Sequence, residues 1–285
     1  MPNTSSSKLA LVTGANAGLG RITALELARQ GYEVVLLCRN RAKGEAAVAD
    51  IQRKTRNERL HLIQCDLSSQ ADIRRAAAQI RARFPVLDVL VNNAGGLNGA
   101  YVETVDGLET TLAVNHLSVF LLTNLLLDSL KAAPAGRIVV LSSQAQAMGK
   151  IPWDNLNLKN DYSAWGAYCN SKLMNLLFAF ALARRLKGTA VTVNAVHPGA
   201  VRTNFGRTDG GFAGTLFRLF SWTMRSPEKG AETSIWLATS PDVAGVTGRY
   251  FSDRKPITAQ SLASDEAAQE RLWQVSNELT ESQFV

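Results

Sequence analysis

One stretch near the amino end, "LALVTGANAGLGRITALELARQG" (Leu9–Gly31), restricts the fold of this chain more than any other. It begins as a short unbroken apolar run, turns through three spaced glycines and continues with apolar residues at helical spacing. An unbroken apolar run is the pattern of a strand buried on both faces, which requires parallel neighbours beneath helices. Gly31 stands where a helix ends. A strand that passes through a tight turn into a helix is half of a βαβ unit, whose crossover is right-handed.

The rest of the chain repeats this alternation. Strands are predicted at Lys8–Gly14, Glu33–Arg39, Leu60–Asp66, Leu87–Gly95, Arg137–Ser143, "AVTVNAVHPG" and "GRYF". Helices are predicted over "RITALELARQG", Ala42–Lys54, Ala71–Arg83, Gly107–Ala132, Tyr162–Leu186, Pro227–Thr239 and Asp265–Leu279. The expected fold class is α/β, a doubly wound parallel sheet of about seven strands with helices on both faces. No solenoid repeat or low-complexity linker interrupts the pattern, so residues 1–285 are expected to form a single domain. Two irregular stretches, 144–161 and 202–226, break the rhythm, and long irregular connections in compact domains often carry function.

A charged fraction of 19% and a hydrophobic fraction of 46% are those of an ordinary globular protein. The net charge of +7 comes from Lys and Arg spread along the chain. "RKTRNER" (Arg53–Arg59) has no nucleic-acid motif beside it, so no nucleic acid is expected as partner. Cys38, Cys65 and Cys169 have neither CxxC spacing nor a His pair nearby, which predicts no metal site and a reducing compartment. The polar start "MPNTSSSKLALVTG" contains no apolar stretch of signal or anchor length, and the expectation is a soluble, cytoplasmic protein.

In "TGANAGLG", Gly14 permits the tight turn, Gly18 close approach of a pyrophosphate and Gly20 close packing of helix on strand, with Asn16 and Leu19 lining the same turn. The phosphates would lie at the positive end of the helix dipole. The spacing is GxxxGxG rather than GxGxxG. The second strand ends in Cys38 and Arg39, with no acid to bind a ribose 2′-hydroxyl. An arginine there suits a 2′-phosphate, which favours NADP(H) over NAD(H). Asp66, followed by Leu67 at the tip of the third strand, can accept from an adenine amino group or cap the next turn.

"AYCNSK" places Tyr168 and Lys172 one helical turn apart on one face. A nearby ammonium favours phenolate, so Lys172 is expected to lower the pKa of Tyr168 from about 10. His116 and His197 pair with no carboxylate or second His at ligand spacing and are expected to be structural.

TGxxxGxG, then "NNAG", "SS", YxxxK and "PG", in that order, resemble the short-chain dehydrogenase/reductase family over nearly the whole chain. "LCRNRAKGE", "VNHLSVFLLTNLLL" and "AYCNSK…LARRLKG…VHPG" look like its retinol dehydrogenase-like branch. The resemblance implies a single-domain Rossmann fold and interconversion of lipophilic carbonyls and alcohols, usually with NADP(H). By the same resemblance Tyr168 is the acid/base, Lys172 its support, Ser143 the holder of the substrate oxygen (Ser142 being its local rival) and Asn115 part of a proton relay. Asn93, Ala94 and Gly95 would line the cofactor ribose. Pro198, Gly199, Val201 and Thr203 would lie along the nicotinamide.

The Ser143–Tyr168 gap exceeds the family's usual spacing, as it does in the retinol dehydrogenase-like branch. Membrane-bound relatives carry an anchor that this amino end does not resemble. The apolar 202–226 stretch is read as a lid, with an amphipathic membrane-contact helix and a small core-packing helix as alternatives. Trp153 and Trp165 are expected to close the other side of the pocket. Helices Gly107–Ala132 and Tyr162–Leu186 carry apolar surface beyond one core-facing stripe, which suggests a homo-oligomer. Two other functions remain open: a catalytically silent nucleotide-sensing protein, and a nucleotide-sugar epimerase or dehydratase.

Overall fold

The computed structural model describes residues 7–201 and 225–285. Its one sheet has eight strands in the order β3-β2-β1-β4-β5-β6-β7-β8. They are β1 Leu9–Thr13, β2 Glu33–Cys38, β3 Leu60–Gln64, β4 Val89–Asn92, β5 Arg137–Leu141, β6 Thr192–Val196, β7 Arg249–Ser252 and β8 Lys255–Pro256. Every pairing is parallel except β7 with β8. The eighth strand is the one beyond the sequence expectation. It returns through Asp253 and Arg254, both at positive φ (51° and 59°). Hairpin turns of that hand are normally marked by Gly or Asn, so these two residues hide the turn from sequence reasoning.

Alternate residues of each central strand feed opposite layers. Leu9 and Leu11, Val35 and Leu37, and Ile138 and Val140 face one core. Ala10 and Val12, Val34 and Leu36, and Val139 and Leu141 face the other. The second layer is covered by α1 (Gly18–Arg29), α2 (Arg41–Thr55) and α8 (Pro227–Thr239). The first is covered by α3 (Gln70–Arg83), the 110–131 segment, α7 (Ala164–Arg185) and α9 (Glu266–Leu279).

The single helix expected over Gly107–Ala132 is instead four pieces: α4 Thr110–Leu112, a π-helical turn Ala113–Leu117, α5 Ser118–Leu125 and α6 Leu127–Lys131. Gly107 lies outside them at φ +70°. The Glu109 carboxylate caps the start, accepting from the Thr111 and Leu112 amides at 2.7 and 2.8 Å. A π turn inserts one residue into the helical repeat, which apolar spacing does not reveal, and such turns gather at functional sites. Helix α7 starts at Ala164, capped by Ser163, whose Oγ accepts from Gly166 N at 3.3 Å. The Tyr162 hydroxyl donates to the Asn98 carbonyl at 2.6 Å and so pins the loop after β4.

Part of the apolar surface of α7 is covered inside the chain. Phe178 stacks on Trp273 of α9 with ring centroids 5.8 Å apart, and Phe120 meets the same indole edge-on at 5.0 Å. Helix α9 therefore lies against α7 and α5 and covers this part of their apolar surface.

Candidate active site

The chain reverses direction across β1, which has β2 on one side and β4 on the other. The crevice at the carboxyl ends of the strands at such a point is where ligands bind in open α/β sheets. The tips of β1 and β4 are tied together there. Thr13 Oγ1 accepts from the amides of Asn93 and Ala94, both at 2.9 Å, and Asn93 Nδ2 donates to the Thr13 carbonyl at 2.8 Å. A Cβ on Gly20 would collide with Asn93 Nδ2 and the Gly14 carbonyl oxygen. Gly14 and Gly18 hold φ +66° and +52°. No side chain caps α1 at Ala17, so its first amides face the crevice. This cradle fits a pyrophosphate.

Arg39 extends from the end of β2 with its side chain 76% exposed and a guanidinium nitrogen 4.0 Å from Asp66. One oxygen of Asp66 is occupied by its own turn, accepting from Ser68 N at 2.9 Å and Ser68 Oγ at 2.7 Å. Asp66 thus closes an Asx-turn, one of the local uses foreseen from sequence, while Ser69 caps the helix that follows, and Oδ2 is the oxygen turned towards Arg39. Leu67 is buried beneath the turn.

Ser143 leaves β5 in extended conformation and caps a short 3-10 turn, its Oγ accepting from Ala145 N at 3.2 Å. The same side chain acts on Tyr168 and favours its phenolate. Its rival Ser142 is buried and donates to the Lys172 carbonyl at 2.7 Å, so it fixes α7 against β5 instead of facing the crevice. Lys172 lies 5% exposed, with Nζ 5.5 Å from the centroid of the Tyr168 ring and 3.4 Å from the Leu141 carbonyl oxygen.

The expected lowering of the Tyr168 pKa is not what this arrangement produces. Burial pushes the phenol up, and Ser143 only opposes it. Lys172 stands over the ring, and burial pushes its own pKa down to about 8. In a nearly dry site desolvation acts on both groups and favours neutral phenol and neutral amine.

Asn115 projects from the π turn. Its Oδ1 accepts from Gly96 N at 2.9 Å, and its Nδ2 donates to the Gly96 carbonyl at 2.8 Å and to Ser171 Oγ at 3.0 Å. The side chain thus holds the loop after β4 against α7. A Cβ on Gly95 would stand 3.2 Å from both Asn115 Oδ1 and Lys172 Nζ. The turn of "NNAG" and the Ser–Tyr–Lys group therefore line one site.

After β6, Gly199 adopts φ +85°. Beyond Pro198 the segment is clamped by residues to which sequence reasoning gave no role at the site. Arg225 N donates to the Ala200 carbonyl at 2.8 Å, Val201 forms a parallel bridge with Arg225, and the guanidinium pairs with both oxygens of Asp253. A Cβ on Gly230 of α8 would reach 2.5 Å from Val201 and 2.8 Å from Leu19. Leu19 and Val201 thus meet over one glycine. Only the pairing of a late arginine with an aspartate in a tight turn could have signalled this clamp, and neither stands in a motif. Thr203 and nearly all of the 202–226 segment lie outside the described residues.

His197 accepts from Gln144 N at 3.2 Å and is structural, as expected. Trp165 packs against Tyr168 (centroids 5.7 Å apart) and is half exposed. Trp153 instead packs on the core beneath the Arg271 guanidinium, which closes α9 over the insertion rather than the site.

A sequence model of the short chain dehydrogenase family matches residues 8–210. The human (Homo sapiens) protein retinol dehydrogenase 14 is 44% identical over 291 aligned residues, covering 96% of this chain and 87% of its own. Among solved structures, an uncharacterised protein from Mycobacterium paratuberculosis superposes with a TM-score of 0.79 at 33% identity, over 100% of this chain and 97% of its own. A short chain dehydrogenase from Burkholderia cenocepacia in complex with NADP gives a TM-score of 0.67 at 27% identity, over 86% of this chain and 95% of its own.

Proposed function

Because this chain belongs to the short-chain dehydrogenase family, and its relatives include retinol dehydrogenases, we propose that it interconverts a lipophilic aldehyde or ketone and the corresponding alcohol with NADP(H). The observation that carries this reading is the convergence of Ser143, Tyr168 and Lys172 beside Gly95, at the mouth of the glycine cradle.

The cofactor would supply or accept the hydride. Gly14, Asn16, Gly18, Leu19 and Gly20 would hold its pyrophosphate, Arg39 the 2′-phosphate, and Asp66 and Leu67 the adenine end. Asn93, Ala94 and Gly95 would border the ribose, and Pro198, Gly199, Val201 and Thr203 the nicotinamide. Ser143 Oγ donates to the carbonyl oxygen and stabilises the charge that develops on it. Tyr168 delivers its phenolic proton to that oxygen in reduction and takes one back in oxidation. A phenol held neutral by burial is ready to donate. Lys172 steadies the phenolate formed in the step and recovers the proton through the Asn115 side of the site. Arg39 at the end of β2, with no acid in its place, supports NADP(H) over NAD(H). The half-exposed Trp165, packed on Tyr168, supports an apolar substrate.

The test is NADPH consumption against a panel of medium-chain and aromatic aldehydes and ketones, with Tyr168→Phe as control. The reading expects turnover by the wild type and a loss of at least about a hundredfold in the control. Equal rates for the two proteins overturn the proton role. No turnover of any carbonyl, or of the matching alcohols with NADP, overturns the reading altogether.

A further inference from the structure

His116 follows Asn115 in the π turn and is 1% exposed, inside the layer between α7 and α9. Its two ring nitrogens meet different helices. Nδ1 lies 3.4 Å from Asn175 Oδ1 on α7, and Nε2 lies 3.0 Å from Ser276 Oγ on α9. Phe178 packs edge-on against the ring at 6.5 Å between centroids.

The hydrogen bonds assign the tautomer. Asn175 is itself buried, and its Nδ2 donates to the Leu141 carbonyl at 3.1 Å, so its Oδ1 must face His116 and can only accept. Nδ1 therefore carries the proton, and Nε2 accepts from the Ser276 hydroxyl. Burial lowers the imidazole pKa to about 4 and holds the ring neutral, with the Asn175 contact opposing it.

The Leu141 carbonyl at the end of this chain also takes the Lys172 ammonium, at 3.4 Å. It belongs to the last residue of β5, two positions before Ser143. The Asn175 amide next to it has two orientations. In the one present, an N–H points at the Leu141 oxygen. In the flipped one, Oδ1 would face that carbonyl oxygen, repel it and give up the hydrogen bond that fixes it.

We propose that His116 is a positioning residue. By donating from Nδ1 it locks the Asn175 amide with its N–H on the Leu141 carbonyl, and so fixes the carbonyl that holds Lys172. In this way Ser276, on a helix at the far end of the chain, sets the orientation of the lysine through His116, Asn175 and Leu141. The importance of Lys172 rests on the oxidoreductase reading; the tautomer and the amide orientation do not.

Two measurements on the full chain separate these levels. Selective ¹⁵N labelling of histidine, read by long-range ¹H–¹⁵N correlation at pH 7, is expected to show His116 neutral with the proton on Nδ1. A proton on Nε2, or an imidazolium, overturns the proposal. His116→Phe is expected to lower kcat about tenfold or more and to move the pH of half-maximal kcat by at least about half a unit. His116→Asn, which keeps a donor near the Nδ1 position, is expected to recover kcat to within about threefold of wild type. Wild-type kcat and pH profile in His116→Phe with only a lowered Tm reduce His116 to a packing role and overturn the proposal. Should His116→Phe not fold, the labelled wild type and His116→Asn decide. A wild type inert towards every carbonyl and alcohol, with the Nδ1 tautomer present, refutes the activity and leaves the amide lock standing.

Discussion

The α-carbon of Gly95 lies so close to Lys172 that an added methyl group would stand 3.2 Å from the ammonium nitrogen, tighter than ordinary van der Waals contact. It would crowd Asn115 Oδ1 equally. Gly95→Ala must therefore shift either the lysine or the amide that ties Gly96 to the π turn. A displacement of a few tenths of an ångström at a group that orients a proton donor costs rate more than stability. Gly95→Ala is expected to lower kcat about tenfold while leaving the circular dichroism spectrum and, within about 2 °C, the Tm unchanged. An unchanged kcat would show that Lys172 tolerates displacement.

Arg39 tests the cofactor. Its side chain is mostly exposed, and the contact with Asp66 at 4.0 Å is a surface pair that contributes little to folding. Arg39→Asp replaces a phosphate partner by a repelling charge and restores an acceptor for a ribose hydroxyl. The ratio of kcat/KM for NADPH to that for NADH is expected to fall about a hundredfold, with Tm constant. A ratio that does not move assigns the 2′-phosphate to another residue.

The parts legible in the sequence were local. The glycines of the first turn announce themselves because each answers a short-range need: positive φ at Gly14 and Gly18, and no room for a Cβ at Gly20. Tyr168 and Lys172 share a face because four residues make about one turn. What stayed hidden depends on distant parts of the chain. The π turn that aims Asn115 and His116 leaves no trace in apolar spacing. The Arg225–Asp253 clamp joins residues that carry no motif. The direction of the Tyr168 shift also eluded sequence reasoning, because spacing reports the ammonium nearby but not the burial that outweighs it.

The clamp gives its own prediction. Arg225 lies partly exposed, so its pairing with Asp253 adds little to global stability. It does hold the chain after Gly199, through the Ala200 carbonyl and the Val201 bridge. Asp253→Asn keeps the shape and removes the charge. It is expected to raise the KM for the cofactor about three- to tenfold, with kcat at saturation within about twofold of wild type. A fall in kcat at constant KM would place the clamp's role in the chemical step.

Lys172 couples activity to stability in a way that pH exposes. Its pKa is about 8 in the folded chain against 10.5 for an unperturbed lysine, so burying the ammonium opposes folding. Below pH 8 both states carry the proton and that opposition is complete. Between about pH 8 and 10.5 the unfolded chain binds more protons than the folded one, and this group's contribution rises with pH. Lys172→Met keeps the length of the stem and removes the charge. At pH 7 it is expected to be inactive yet more stable than wild type by about 1–3 kcal/mol, read from urea unfolding. Because only the wild type gains from deprotonation, the difference should shrink steadily as the pH is raised from 8 to 10. A Lys172→Met variant less stable than wild type at pH 7 would mean that the Leu141 carbonyl and the Tyr168 ring compensate the buried charge in full, and that the low proton affinity assigned to Lys172 is wrong.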